Sequence, residues 1–429
     1  MYITDAEEFI ALIRRLRQEP VVALDTEFIR EKSYFAQLCL IQVACEGCSA
    51  IIDPFAVDDL SPLRELLADT QVTKVLHAAS QDLAILYKEC GVAAAPVFDT
   101  QLAATLAGFP QQVGLRVLVE EALGVTLGKG ETYTDWAKRP LSQAQVKYAL
   151  DDVCHLPSLY QWLTDRLTAD GRLAWLKGDF ERLGDPGLYE VVPEEQWRKV
   201  KRVGSLNCRQ LGVAREVAAW REHAAMRRNV PRRWILGDEG IVEVSRRMPH
   251  TIQDLAAIRG VSGKIGKTAL PRLLAAIERG CSLPEGELPV IDRQRRSAGY
   301  HEEVVDLMAA LTRKRAREHD VAMPLLASRE CFKELASGGL EDNPLLCGWR
   351  AELIGNELLE LVQGGISLCL NNGELVVTRH EGAQNGQDIP CKDDQEACAS
   401  GMYASGSHTS GLLEDAGEAC ASGMREDET

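Results

Sequence analysis

The sequence predicts an α/β domain, a mixed sheet flanked by helices, over residues 1–170, with all-α domains behind it. Three observations lead there. An apolar run, Val21-Val22-Ala23-Leu24, ends on Asp25-Thr26-Glu27-Phe28 and reads as a buried central strand. Paired strands then give way to strand–helix alternation. Beyond about residue 205 only helical spacing remains.

Taken in order, Phe9, Ile10, Leu12, Ile13 and Leu16 recur at helical spacing over residues 5–17, with Thr4 or Asp5 as cap. The central strand follows, then strands over 37–43 and 49–53 on short links, which makes these three antiparallel neighbours. A helix over 61–68 leads to a strand over 72–77, a helix from Ser80 to Cys90, and helices near 99–107 and 113–122. Gly184-Asp185-Pro186-Gly187 and Pro193 mark 171–204 as a linker. Residues 205–285 read as short amphipathic helices with Trp220, Trp234, Leu255 and Ile258 available as core. A second, weaker helical stretch spans 290–375. From about 380 the chain is rich in Gly, Ser, Ala and acids and repeats Glu-Ala-Cys-Ala-Ser-Gly-Met at 396–402 and 418–424. Such a tail cannot bury a core, and disorder is expected for 380–429.

Composition narrows the classes. The 429 residues are 45% hydrophobic and 26% charged, ordinary for a globular protein. No apolar run approaches the roughly 20 residues of a membrane span. The acidic opening Met1-Tyr2-Ile3-Thr4-Asp5-Ala6-Glu7-Glu8 is unlike a signal segment, and thirteen scattered cysteines fit reduced thiols. A cytoplasmic protein is expected. The net charge of −16 hides a division: 205–285 carries 14 basic residues against 8 acidic, between an acidic front and an acidic tail. A basic block in an acidic chain points to a polyanionic partner.

Three motifs carry chemistry. Asp25 and Glu27 lie two apart on a strand and so share a face. Burying two anions unpaired is costly, and a hard divalent cation held between them relieves it; the competing reading is a strand end meeting solvent or an arginine. In His77-Ala78-Ala79-Ser80-Gln81-Asp82, Ser80 is a plausible N-cap that puts Asp82 in the first helical turn, where the helix dipole alone favours an acid. In Gln145-Val146-Lys147-Tyr148-Ala149-Leu150-Asp151-Asp152, Tyr148 and Asp152 share a helix face. Asp151 competes for that place.

Together these motifs resemble the DEDD exonuclease superfamily, in its tyrosine branch, and within it the ribonuclease D family. The resemblance extends to Gln37-Leu38-Cys39-Leu40-Ile41-Gln42, Phe98-Asp99-Thr100-Gln101 and Thr134-Asp135-Trp136-x-x-Arg139-Pro140-Leu141, in the family's order. Ala36 stands where the family often has Pro, and Gln81 where an acid is common. The resemblance implies a ribonuclease H-like mixed sheet. It also implies two divalent ions, Mg²⁺ or Mn²⁺, on Asp25, Glu27, Asp82 and Asp152, with Tyr148 orienting or deprotonating the attacking water. Thr26, Phe28, His77 and Arg139 would meet the substrate. The block 205–285 resembles the HRDC module through Leu211-x-x-x-Arg215-Glu216-x-x-Ala219-Trp220 and Asn229-Val230-Pro231-Arg232-Arg233. Residues 260–266 could open a helix that receives a phosphate, with Lys264 and Lys267 alongside. Residues 290–375 would be a second, diverged copy.

The expected activity is 3′–5′ exoribonuclease hydrolysis releasing nucleoside 5′-monophosphates from tRNA precursors or other structured RNA 3′ ends, by a monomer with no membrane role. A 3′–5′ DNA exonuclease and a non-catalytic nucleic-acid adaptor remain as alternatives.

Overall fold

The structure, a computed structural model, describes residues 1–128, 134–261, 265–266, 268–291, 301–340 and 343–380. Of the acidic tail expected over 380–429, everything from residue 381 onward lies outside the described residues, as do Lys264 and Lys267. No described helix is long and apolar enough to cross a membrane.

The first domain is built on six strands: β1 (Tyr2–Ile3), β2 (Val21–Ile29), β3 (Gln37–Cys45), β4 (Cys48–Ile52), β5 (Thr73–Leu76) and β6 (Val97–Asp99), in spatial order β1-β4-β3-β2-β5-β6. β2, β3 and β4 are antiparallel neighbours, as the short links require, while β5 runs parallel to β2 and β6 parallel to β5. Strand β2 is therefore central. Its Val22 and Leu24 are fully buried, each worth roughly 1.5–3 kcal/mol of apolar burial. They face α1 (Ala6–Leu16), α2 (Ser61–Ala68) and α3 (Ser80–Cys90). The opposite face meets α4 (Thr100–Leu106), α5 (Leu115–Leu123), α6 (Gln143–Cys154) and α7 (Leu156–Ala169).

Local signals set the helix ends. Asp5 caps α1 by accepting from the amides of Glu7 and Glu8. Ser142 and Gln145 form a capping box on α6. Ser80, expected as the cap of α3, is already inside that helix, and its side chain does not cap it. Asp99, across from β5, supplies the acceptors instead: it takes the amides of Ala78 and Ala79 as well as Gln101 and Leu102 at the start of α4. One carboxylate thus closes two helix starts, including that of the helix bearing Asp82.

Residues 171–204, expected as a linker, are built into short turns, among them α8 (Lys177–Leu183) and a 3₁₀ segment Pro193–Lys199. The prolines sit at helix starts, and Trp197, Val200 and Val203 are buried against the next domain. That domain is organised by α9 (Cys208–Arg228), with α10 (Arg232–Ile235), α11 (Asp238–Arg247), α12 (Ile252–Ala256) and α13 (Leu270–Cys281). Trp220, Leu255 and Ile258 are core, but Trp234 is 53% exposed, because Ile235 takes the inward position of α10. Helices α9 and α13 touch at glycines: a Cβ on Gly280 would lie 2.5 Å from Val213 Cα. Gly280→Ala is expected to cost about 1–3 kcal/mol through overpacking. A thermal midpoint equal to that of the parent protein would show that the helices separate freely.

The last region packs helices Glu302–Glu318, Arg329–Ala336 and Asn356–Val362 around Val305, Met308, Phe332, Leu345 and Leu358. It closes with a hairpin, β7 (Ile366–Asn371) and β8 (Glu374–Arg379). The helical stretch expected to stop at 375 would cut β8. This region seats on the first domain, where Ala316, Val321 and Leu326 join the core of α4 and α7, and on residues 171–204, where Trp349 stacks 4.9 Å from Trp175 and Asp320 O accepts from Arg172 at 3.2 Å.

Candidate active site

Asp25 and Glu27 project from the same face of β2, and α6 lies over that face. The structure brings Asp25, Glu27 and Asp152 together, with one carboxylate oxygen from each lying within 4.8 Å of the others. Asp82 stands beside them at the start of α3, buried, with Thr26 Oγ1 donating to its Oδ1 at 2.5 Å. Asp151 is not part of that carboxylate group and lines a hollow with Leu141, Val146 and Leu150.

The electrostatics follow from burial and crowding. Asp25 is pushed well above the usual carboxylate range, by burial first and then by Asp82, Asp152 and Glu27. Burial, then Asp152 and Asp82, raise Glu27 to about 8. Burial likewise raises Asp152 to about 7 and Asp82 to about 6. The charges acting on Asp25 are all carboxylates. Such an oxygen-only set, with no opposing side-chain cation acting on Asp25 among the described residues, fits a hard divalent metal ion. Tyr148 stands within hydrogen-bonding reach of Asp152, and its phenol is shifted upward, by burial first and then by Asp152, Glu27 and Asp25.

The other expected residues are placed differently from one another. Thr26 serves Asp82. Phe28 packs on the core beneath the sheet. His77 is wedged between Thr100 Oγ1 at 2.9 Å and Val113 O at 3.0 Å. Its Nε2 must carry the proton given to that carbonyl. Arg139 binds Asp53 through Nε at 2.6 Å and Nη2 at 2.9 Å. Gln42, which the motif reading included in a family block but gave no role, is the cross-strand partner of Asp25 and is fully buried with neither amide atom hydrogen-bonded. Its signal was a glutamine inside an otherwise apolar strand.

A family model described as 3′–5′ exonuclease matches residues 1–168, and an HRDC domain model matches 210–277. A ribonuclease D of Granulibacter bethesdensis is 41% identical over 87% of this chain and 95% of its own. The chain belongs to the ribonuclease D family. Another ribonuclease D, of Acidiphilium cryptum, is 43% identical over 86% of this chain and 94% of its own. The crystal structure of Escherichia coli RNase D, described as an exoribonuclease involved in structured RNA processing, superposes with a TM-score of 0.73 at 33% identity. It covers 85% of this chain and 98% of that one. As a ribonuclease D family member, the protein is a 3′–5′ exoribonuclease with a mixed α/β catalytic domain and a helical HRDC domain.

Proposed function

We propose that the protein shortens structured RNA from the 3′ end, releasing nucleoside 5′-monophosphates, and that tRNA precursors are its substrates in the cytoplasm, where it acts as a monomer. The single observation that carries this reading is the meeting of Asp25, Glu27 and Asp152 beside Asp82 with no neutralising side chain among the described residues. Asp25, Glu27, Asp82 and Asp152 would hold two divalent cations, Mg²⁺ or Mn²⁺. When bound, these supply a deprotonated water at neutral pH and neutralise charge on the leaving oxygen.

The chain's own residues do the rest. Tyr148, half-buried and with its phenol pKa raised, orients the attacking water by hydrogen bond rather than acting as base. The water oxygen forms the new P–O bond, the P–O3′ bond breaks, and the freed 3′ oxygen takes a proton. Thr26 holds Asp82 in place. Lys264 and Lys267, outside the described residues, remain candidates for phosphate contact, as do Phe28 and His77 for the terminal nucleotides.

End-labelled RNA and DNA of equal length test this reading. RNA should shorten one nucleotide at a time, stop in EDTA and resume with Mg²⁺ or Mn²⁺. Equal loss of the DNA strand would overturn the substrate assignment. The basic helical domain is read as the RNA anchor. Exposed Arg227, Arg228 and Arg247 changed together to Gln should flatten the slope of log K against log[salt] by about one for each phosphate no longer neutralised. An unchanged slope removes the anchoring role from that face.

A further inference from the structure

The segment Thr134-Asp135-Trp136-Ala137-Lys138-Arg139-Pro140-Leu141 carries none of the metal-binding carboxylates, yet its bonds converge on the active site. A guanidinium has five N–H donors, and those of Arg139 make five bonds. Two go to Asp53. Nη2 also gives to Cys39 O at 2.8 Å, and Nη1 gives to Trp136 O at 2.7 Å and Lys138 O at 3.1 Å. Nothing in this arrangement is left over for a phosphate.

Each end of the clamp is firmly seated. Asp53, just past β4, is buried and also accepts from the Tyr2 hydroxyl and the Phe55 amide. Burial works to raise its pKa, but the bonds from Arg139, Tyr2 and Phe55 outweigh it and hold the carboxyl low. Cys39 is the residue skipped where the β2–β3 register shifts, beside Glu27. Its carbonyl is therefore available to a side chain at the point where the strand bends.

The near side of the clamp reaches Tyr148. Arg139 holds the carbonyl of Trp136, whose buried ring lies 6.1 Å from the Tyr148 ring at 31°. Trp136 packs with Cys39, Leu40, Ile51 and Ala149, so it forms a wall between the sheet and α6. The start of the same segment is tied to α6 as well, with Gln145 Nε2 donating to Thr134 Oγ1 at 2.8 Å.

We propose that Arg139, clamped on Asp53, is a positioning residue for Tyr148, acting through Trp136. A phenol on a helix face has two side-chain torsions to fix, and a flat ring held rigidly beside it restricts both. The proposal rests on the reading of Tyr148 as the group that orients water.

The test is a double-mutant cycle by single-turnover RNA hydrolysis in the full-length protein, with Mg²⁺ binding followed by calorimetry in parallel. Arg139→Ala, Arg139→Lys and Trp136→Leu are each made in the parent and in the Tyr148→Phe background. In the parent, kcat should fall about 10–100-fold, the scale on which supporting groups act, while KM and Mg²⁺ affinity hold. In the Tyr148→Phe background the same changes should cost less than about twofold, because two groups acting through one hydroxyl are not additive. Equal losses in both backgrounds would overturn the proposal, as would a loss of Mg²⁺ affinity in place of kcat. If Arg139→Ala does not fold, Arg139→Lys and Trp136→Leu decide by the same criterion. A silent Tyr148→Phe would instead refute the reading of Tyr148 itself, and it is seen before any clamp variant is compared.

Discussion

Asp25→Asn is expected to reduce hydrolysis by about 10³-fold or more while leaving the fold intact, and Asp152→Asn to do the same. On the proposed reading each removes a charged oxygen from a set that holds cations against developing charge, where single groups are worth of order 10²–10³. The variants should also change stability in a definite direction. In the metal-free protein Glu27 titrates near 8, Asp152 near 7 and Asp82 near 6, with Asp25 raised as well, against about 4 in an unfolded chain. The native state therefore holds more protons than the unfolded state between about pH 4 and 8, so stability falls as pH rises through that window. Asp25→Asn deletes one anion and relieves its neighbours, so its midpoint in EDTA should decline less between pH 5 and 8. Added Mg²⁺ should stabilise the parent more at pH 8 than at pH 5, since the carboxylates must lose protons to bind it. Near-normal turnover by either variant would remove that residue from the ligand set. Asp151→Asn, made alongside, should be close to silent.

Much of the site was legible because its chemistry is written into short-range spacing. Two acids at a strand's period and a Tyr-x-x-x-Asp at a helix's period each define a face before any tertiary structure is known. Asp25, Glu27 and Asp152 meet because β2 is central and α6 lies over it, which follows once 21–28 is read as a buried strand. What stayed hidden depends on long-range partners. Strands β1 and β6 are two and three residues long, too short for any period to register. The double cap by Asp99 joins helices through a strand neighbour, so Ser80 looked like the cap. Arg139 looked like a free cation in a motif, because nothing local shows that Asp53, 86 residues away, absorbs it. Residues 171–204 carry the prolines and glycines of a linker, yet Leu176 and Trp197 bury themselves in the domains on either side. The β7–β8 hairpin did have a local signal, Asn372-Gly373 between apolar runs, and the helical texture before it obscured it.

Tyr148→Phe is expected to lower kcat by roughly 10²–10⁴, the range for a positioned acid–base group, with little change in KM. The substitution keeps the ring against Trp136 and removes only the hydroxyl beside Asp152. Burial is the first cause of the raised phenol pKa, and cations bound to the carboxylates would leave that burial in place. On the proposed reading the hydroxyl stays protonated at neutral pH and donates a hydrogen bond that fixes the direction of the attacking water. That assignment separates from general-base catalysis by pH. If Tyr148 were the base, activity would climb with pH as the phenol ionised, and Tyr148→Phe would abolish the climb. If it orients water, parent and variant should show parallel profiles between pH 6 and 9, offset by the same factor throughout. Single-turnover hydrolysis at saturating Mg²⁺ reads both quantities. A fall of less than about threefold takes the hydroxyl out of the chemistry, and profiles that diverge as pH rises would return it to the role of base.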